Sequence, residues 1–387
     1  MPEHLTPRAI LDRLVAFPTV SCDSNLALID WVEEYLDDWG VAAHRVWSDD
    51  RSRASLYAHV GPEVAGGVVL SGHSDVVPVV GQPWTSDPWT VTERDGRLYG
   101  RGTCDMKGFL ALALAAVPLA VEGAIKRPLQ IAISYDEEVG CTGAPPMIRA
   151  MAAHLPRAGA VIVGEPSRMK VVTSHKGGMG YSVHVKGFEV HSSLLPTGVS
   201  AIMEAARLIQ WANLRNAELQ AAPVAAMAGL FDPPFTTLHT GMIAGGTAHN
   251  ITAGDCTFGI EFRVVPGEDP EDWARLFEAE VAQVEAAMRA VRPEAGIRLE
   301  RFFDVPALAP ETDGGAETLA RRLTGDNARH VVSYGTEAGQ FQEEGYSCVV
   351  CGPGDIAQAH QADEYLEVSE FDAGWLFMQA VVRDLAA

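Results

Sequence analysis

The sequence predicts an α/β protein: a mixed, mostly parallel sheet with helices on both faces, interrupted by an inserted ferredoxin-like α+β domain. Three observations predict it. Short apolar runs, Val68–Leu70, Leu129–Tyr135 and Ala160–Val163, alternate with helical stretches in the manner of βαβ units. Near Ser174-His175-Lys176 the rhythm changes, and the next stretch reads β-α-β-β-α-β. The chain then returns to an apolar strand, SCVVCG, and a closing amphipathic helix. The larger domain is therefore expected at 1–175 and 304–387, with the insertion at 176–303.

Each element has a local reason. Thr6-Pro7 is a helix start, a hydroxyl cap followed by proline in the first turn, and the helix should run to about Ala16. Leu28, Trp31, Val32 and Leu36 recur at helical spacing between Ser24 and Trp39, and Gly40 stops that helix. Strands follow near Ser55–Val60 and Val68–Leu70. The Pro- and Trp-rich stretch Gln82–Asp95 reads as a long loop. Met106–Val121 is long, apolar and rich in helix formers, so it predicts a buried helix. In the insertion, GYSVHVKG, FTTLHTGMIAGG, DCTFGIEFRVV and GIRLERFF read as strands around two helices. Beyond it come a helix near Glu317–Leu323, a strand near His330–Val332 and a last helix over Glu370–Leu385.

Composition narrows the function classes. A chain of 387 residues suffices for two domains and a large core. The net charge of −22 argues against nucleic acid and anionic membrane as partners. Six scattered cysteines do not make a disulfide framework, and with no basic apolar leader and no run of transmembrane length a cytoplasmic location is expected. Cys348 and Cys351 lie in an apolar run and read as buried thiols; Cys104 and Cys141, beside acidic motifs, are expected to be the reactive ones.

The candidate chemistry begins at SGHSDVVP. His73 and Asp75 are two apart on an extended backbone, a spacing that suits a metal-binding imidazole and an acceptor that fixes its tautomer. Asp105 stands just before the Met106 helix, either as a cap or as a carboxylate offering each oxygen to a metal ion. Asp136, Glu137 and Glu138 follow a buried strand, where open α/β sheets place their chemistry, and Glu165 ends another. His360 lies in a loop after a strand. His73, Asp105, Glu138, Glu165 and His360 together suit two Zn²⁺ ions, with Co²⁺ or Mn²⁺ as substitutes in vitro. Glu137, beside a ligand and not needed as one, is the candidate general base.

The motifs SGHSDVVP, LYGRGTCDMKG, YDEEVGC, GEP and AHQADEYLE resemble those of the dinuclear-zinc amidohydrolases, in that family's order and over nearly the whole chain. The resemblance implies a zinc-peptidase-like domain with one ion on His73, Asp105 and Glu165 and the other on Asp105, Glu138 and His360. Asp105 would bridge, Glu137 would be the base, Asp75 would orient His73, and the Asp105-Met106 peptide would be cis. It further implies that the inserted domain closes over the site and mediates a homodimer, with His191 reaching the partner's site. Asn250 and Arg263 would bind a substrate carboxylate, and Gly335 and Thr336 would contact substrate. Glu337, just after Thr336, is expected as a surface acid, the alternative being a place facing the distal amine of the substrate. The implied reaction is hydrolysis of a small N-acyl amino acid, most closely N²-acetyl-L-ornithine to L-ornithine and acetate in arginine biosynthesis. N-succinyl-diaminopimelate, another N-acyl amino acid or a dipeptide are alternatives. GEPS departs from the commoner GEPT just beyond the ligand. A metal-binding protein that has lost catalysis would lack Glu137 or a ligand, and all six residues are present.

Overall fold

The computed structural model describes residues 2 and 4–387. The chain forms two compact units. One contains residues up to Ser174 with Leu308–Val331 and Thr336–Ala387; the other contains His175–Ala307 and Val332–Gly335.

The larger unit opens with α1 (Pro7–Val15) and α2 (Leu26–Asp38). The Thr6 hydroxyl accepts the Ala9 N–H at 3.1 Å, so the cap signal in the sequence is used. Strands β1 (Ala43–Trp47), β2 (Ala54–Val60) and β3 (Val68–His73) follow, then the short β4 (Thr92–Arg94) and β5 (Arg97–Tyr99). Thus the expected Gln82–Asp95 loop ends in a strand, and β1 adds an edge that its half-polar pattern concealed. Next come α3 (Lys107–Glu122), β6 (Leu129–Ser134), α4 (Ala144–His154), β7 (Ala160–Pro166) and β8 (Val172–His175).

The smaller unit is β9 (Gly177–Lys186), α5 (Ala201–Ala221), β10 (Thr237–Gly245), β11 (Asp255–Val264), α6 (Pro270–Val291) and β12 (Gly296–Val305). Its antiparallel sheet runs β10-β11-β9-β12, the ferredoxin-like order. Alternate residues of β11, Cys256, Phe258, Ile260 and Phe262, are buried against Phe277 and Val284 of α6. The chain returns through α7 (Gly315–Thr324), β13 (His330–Val332), α8 (Ala338–Glu343), β14 (Cys348–Gly352), β15 (Tyr365–Glu367) and α9 (Val368–Ala386).

The large sheet has the order β1-β2-β6-β3-β7-β14-β8-β13. Its centre is parallel: β3 pairs β6 and β7, and β14 pairs β7, all in the same sense. Their C-terminal ends therefore share one edge, which the parallel βαβ pattern of the sequence anticipates. The α3 helix is buried along almost its whole length and lies across these strands. The approach is close at Gly164, where a Cβ would stand 2.0 Å from the Phe109 ring. No larger residue fits there, so the strand end that carries Glu165 is set against α3.

Candidate metal centre

The C-terminal edge of the parallel strands gathers the acidic and imidazole groups. His73 ends β3, Glu165 lies near the end of β7, and Glu137 and Glu138 follow β6. His73, Asp105 and Glu165 are almost wholly buried. Asp105 precedes α3, but Met106 occupies the cap position, so the Asp105 carboxylate is free of capping. Its Oδ1 lies 3.0 Å from His73 Nε2, and its Oδ2 lies 3.3 Å from His360 Nε2. One carboxylate thus faces two imidazoles with different oxygens. Glu165 Oε1 stands 3.6 Å from His73 Nε2, and Glu138 Oε2 stands 2.9 Å from His360 Nε2. The Asp105-Met106 peptide is cis, as the resemblance implies.

These residues fit metal ions on two grounds. Glu165 Oε1 is buried without a hydrogen-bond partner, an expensive state for a carboxylate oxygen unless a cation faces it. The ion-pair partners of Asp105, Glu138 and Glu165 among the described residues are His73 and His360 alone. Donor atoms of His73, Asp105 and Glu138 lie within 4.8 Å of one another, and so do those of His73, Glu137 and Glu165. Ligands 2.0–2.2 Å from a tetrahedral ion stand about 3.4 Å apart, close to the spacings here.

The electrostatics show the same demand for positive charge. Burial raises Glu137 to about 8, reinforced by Glu138, Asp105 and Asp75. Burial, then Asp105, raises Glu138 to about 7, and burial and the neighbouring acids push Glu165 well up. Burial alone would depress His73, but its bond to Asp105 and its contact with Asp75 hold it well above the usual imidazole range. Hydrogen bonds to Asp105 and Glu138 raise His360 to about 10. Without a metal ion the imidazoles carry the compensating charge.

Asp75 acts differently from its expected form. His73 Nδ1 donates to the Asp75 main-chain carbonyl at 2.8 Å, while the nearest carboxylate oxygen is 3.6 Å away. The carbonyl therefore fixes the tautomer and leaves Nε2 facing the cluster. The Asp75 carboxylate instead accepts the N–H groups of Glu137 and Glu138 at 3.1 and 3.4 Å, and the Ser21 hydroxyl at 2.6 Å. It pins the turn that presents both glutamates. The third acid, Asp136, pairs with Arg53 and accepts the Cys22 N–H, so it supports the turn from outside the cluster.

Two expectations need correction. Glu337 is not a surface acid: it is fully buried, and the Ser71 and Ser134 hydroxyls donate to it at 2.5 and 2.7 Å. It clasps β3 to β6 just below His73. Cys104 and Cys141 are not reactive thiols. Both are buried, and burial and nearby carboxylates push them well above the ordinary thiol range. Cys141 instead donates to Glu137 Oε1 at 3.2 Å.

The remaining residues named from the sequence lie elsewhere. His191 and Asn250 come together in the smaller unit, where Ser192 N–H donates to the Asn250 carbonyl at 2.8 Å and both side chains are exposed. Arg263 is eight positions along β11 from Asp255, about 26 Å at strand rise, and its guanidinium meets Glu261 at 3.1 Å. Asn250 lies before the Asp255 end of β11 and Arg263 near its other end. Gly335 belongs to the smaller unit and Thr336 to the larger; the Thr336 hydroxyl is buried and accepts the Ala338 N–H at 3.1 Å. Ser21 and Gln82 carry no sequence signal, and Arg101, Cys141 and Glu364 lie within the motifs without a supporting role legible in them; all five bond to the site residues or their supports.

A cluster of carboxylates and imidazoles at the C-terminal edge of a parallel sheet, with one aspartate facing two imidazoles, suits a metal-dependent hydrolase. The chain belongs to Peptidase family M20/M25/M40, whose model matches residues 69–384. It is 39% identical to acetylornithine deacetylase of Myxococcus xanthus over 375 residues, 94% of this chain and 93% of that one. It is 34% identical to acetylornithine deacetylase of Klebsiella pneumoniae (strain 342), covering 95% of this chain and 94% of the relative. A metallo-carboxypeptidase of Sulfolobus solfataricus shares the fold at a TM-score of 0.80 and 16% identity, over 100% of both chains. Among the described residues no helix is long and apolar enough to cross a membrane.

Proposed function

We propose that the protein hydrolyses the amide of N²-acetyl-L-ornithine, giving L-ornithine and acetate, with two Zn²⁺ ions. The observation that carries the chemistry is Asp105, whose two oxygens face two imidazoles. His73, Asp105 and Glu165 would hold one ion, and Asp105, Glu138 and His360 the other. Bound there, the ions supply a polarised carbonyl and a water acidic enough to lose its proton near neutrality. Glu137 takes that proton on the carboxylate oxygen that Cys141 leaves free, then delivers it to the departing amine nitrogen. Burial and the neighbouring acids raise its proton affinity above that of an ordinary carboxylate, and cations held by those acids would offset part of the rise. The substrate assignment rests on the similarity to the deacetylase relatives over more than nine-tenths of the chain. Release of acetate or free amine from N²-acetyl-ornithine, N-succinyl-diaminopimelate, N-acetyl-methionine and a dipeptide, with Zn²⁺ and with a chelator, tests it. Zinc-dependent preference for N²-acetyl-ornithine is expected. A preference for another compound replaces the substrate, and activity indifferent to the chelator discards the metal mechanism.

The same reading makes the protein a homodimer joined through the smaller unit. Edge strand β10 exposes Met242 at 80% and Ile243 at 52%, an apolar strand edge of the kind a second copy covers. The separation of Asn250 from Arg263 within one chain fits a division in which His191 and Asn250 serve the site of a second copy. Light scattering should give a dimer, and M242E/I243K a monomer with little turnover. A monomeric, fully active wild type removes both the dimer and the His191 role. The six unpaired cysteines suit a reducing compartment such as the cytoplasm.

A further inference from the structure

We propose that Gln82, Arg101 and Glu364 form a latch that fixes Asp105 relative to His360, and that Gln82 thereby sets the affinity of one ion separately from the other. This rests on the two-ion reading of the site. Glu364 Oε1 accepts the N–H groups of Cys104 and Asp105 at 2.9 and 3.0 Å, so it holds the backbone that presents the bridging carboxylate. Its Oε2 accepts Arg101 Nη1 at 2.6 Å, and both residues are 1% exposed. A buried charged pair bonded through Nη1 on one side and two backbone N–H groups on the other is rigid, because each partner leaves the other uncompensated if it moves. The second arm of the guanidinium, Nη2, donates to Gln82 Oε1 at 2.6 Å, and Trp84 Nε1 donates to the same oxygen at 3.0 Å while its ring packs beside the Arg101 guanidinium. Gln82 is thus held through its oxygen, with its amide nitrogen directed outward. That nitrogen donates to the main-chain carbonyl of His360 at 3.0 Å.

The connection matters because the two imidazoles are anchored unequally. His73 ends a central strand, is buried, and has its Nδ1 bonded to a carbonyl. His360 has an exposed side chain and sits in a loop at φ +62°, a conformation a histidine adopts at a cost. The Gln82 bond opposes relaxation of that backbone. Arg101 and Gln82 are therefore positioning residues, acting on the ion through His360 and Asp105.

The test is zinc binding by equilibrium dialysis with elemental analysis, together with thermal unfolding of the chelator-treated chain. Gln82→Glu keeps the acceptor for Arg101 and Trp84 but cannot donate to the His360 carbonyl; Gln82→Ala removes both. Gln82→Glu should hold one ion with wild-type affinity and the other about 10–100-fold more weakly, the usual effect of removing a group that orients a ligand, whereas Gln82→Ala, which also frees an arm of Arg101, should weaken both. The metal-free melting temperature of Gln82→Glu should match that of the wild type, which a purely structural role would not predict. Two ions held at wild-type affinity in Gln82→Glu overturn the latch, and so does equal loss of both in that variant. A wild type that binds a single ion overturns instead the two-ion reading on which the latch rests.

Discussion

Glu137→Gln lowers kcat by about 10²–10⁴-fold, the range for a lost general acid–base, while KM and the bound metal change little. The expectation follows from position. The half-buried Glu137 carboxylate lies among Glu138, Glu165 and Asp105, and burial and those acids raise its proton affinity. One oxygen accepts the Cys141 thiol, and the main-chain N–H is held by Asp75, so the other oxygen has a defined direction. Glutamine preserves the shape and the hydrogen bond to the thiol but cannot take a proton. The variant also separates two roles that geometry alone leaves adjacent, since Glu137 shares a 4.8 Å donor set with His73 and Glu165. A base leaves two ions in place and stops turnover; a ligand loses an ion. Steady-state kinetics with elemental analysis distinguishes them, and unchanged turnover removes Glu137 from the reaction.

What the sequence makes legible follows from the range of each interaction. The parallel centre of the sheet is readable because Val68–Leu70 and Ala160–Val163 are continuous apolar runs and Leu129–Tyr135 is mostly apolar, a pattern that marks strands covered on both faces. Strand β1 is not, since its residues are half-exposed or exposed and polar His44 and Arg45 interrupt its apolar ones. The acidic and imidazole residues at the strand ends stand out for the same reason: a charge beside a buried run needs an explanation. Their supports are silent. Glu364 binds the Asp105 N–H across 259 positions, and Gln82 binds His360 across 278. Neither has a local pattern, because its reason lies in a loop brought near only by folding. Glu337 is hidden on the same account: its local sequence suggests a surface acid, and only folding encloses it between Ser71 of β3 and Ser134 of β6. Asp75 shows the subtler limit, since H-x-D suggests a carboxylate on the imidazole, whereas the main-chain carbonyl makes that bond.

Asp105→Ala abolishes detectable turnover and removes both high-affinity zinc sites together. Of the five candidate ligands Asp105 alone faces both imidazoles, one with each oxygen, so its loss strips a donor from each ion at once. Removing Glu165 or Glu138 should weaken one ion and spare much of the other. The consequence extends to stability. An ion bound only to the folded chain stabilises it by RT ln(1 + [Zn²⁺]/Kd), about 2.7 kcal/mol when the free ion is at 100 times Kd. The buried carboxylates strengthen the effect, because without cations they oppose one another and are driven toward protonation. The wild type should therefore melt at a lower temperature after chelation and recover with Zn²⁺. Asp105→Ala should melt at one temperature in chelator and in zinc, because no ion remains to be withdrawn. Calorimetric melting of both proteins under the two conditions measures this. If the variant keeps the chelator-sensitive rise, the ions are held without a bridge, and the assignment of Asp105 to both sites fails even though its contacts with His73 and His360 stand.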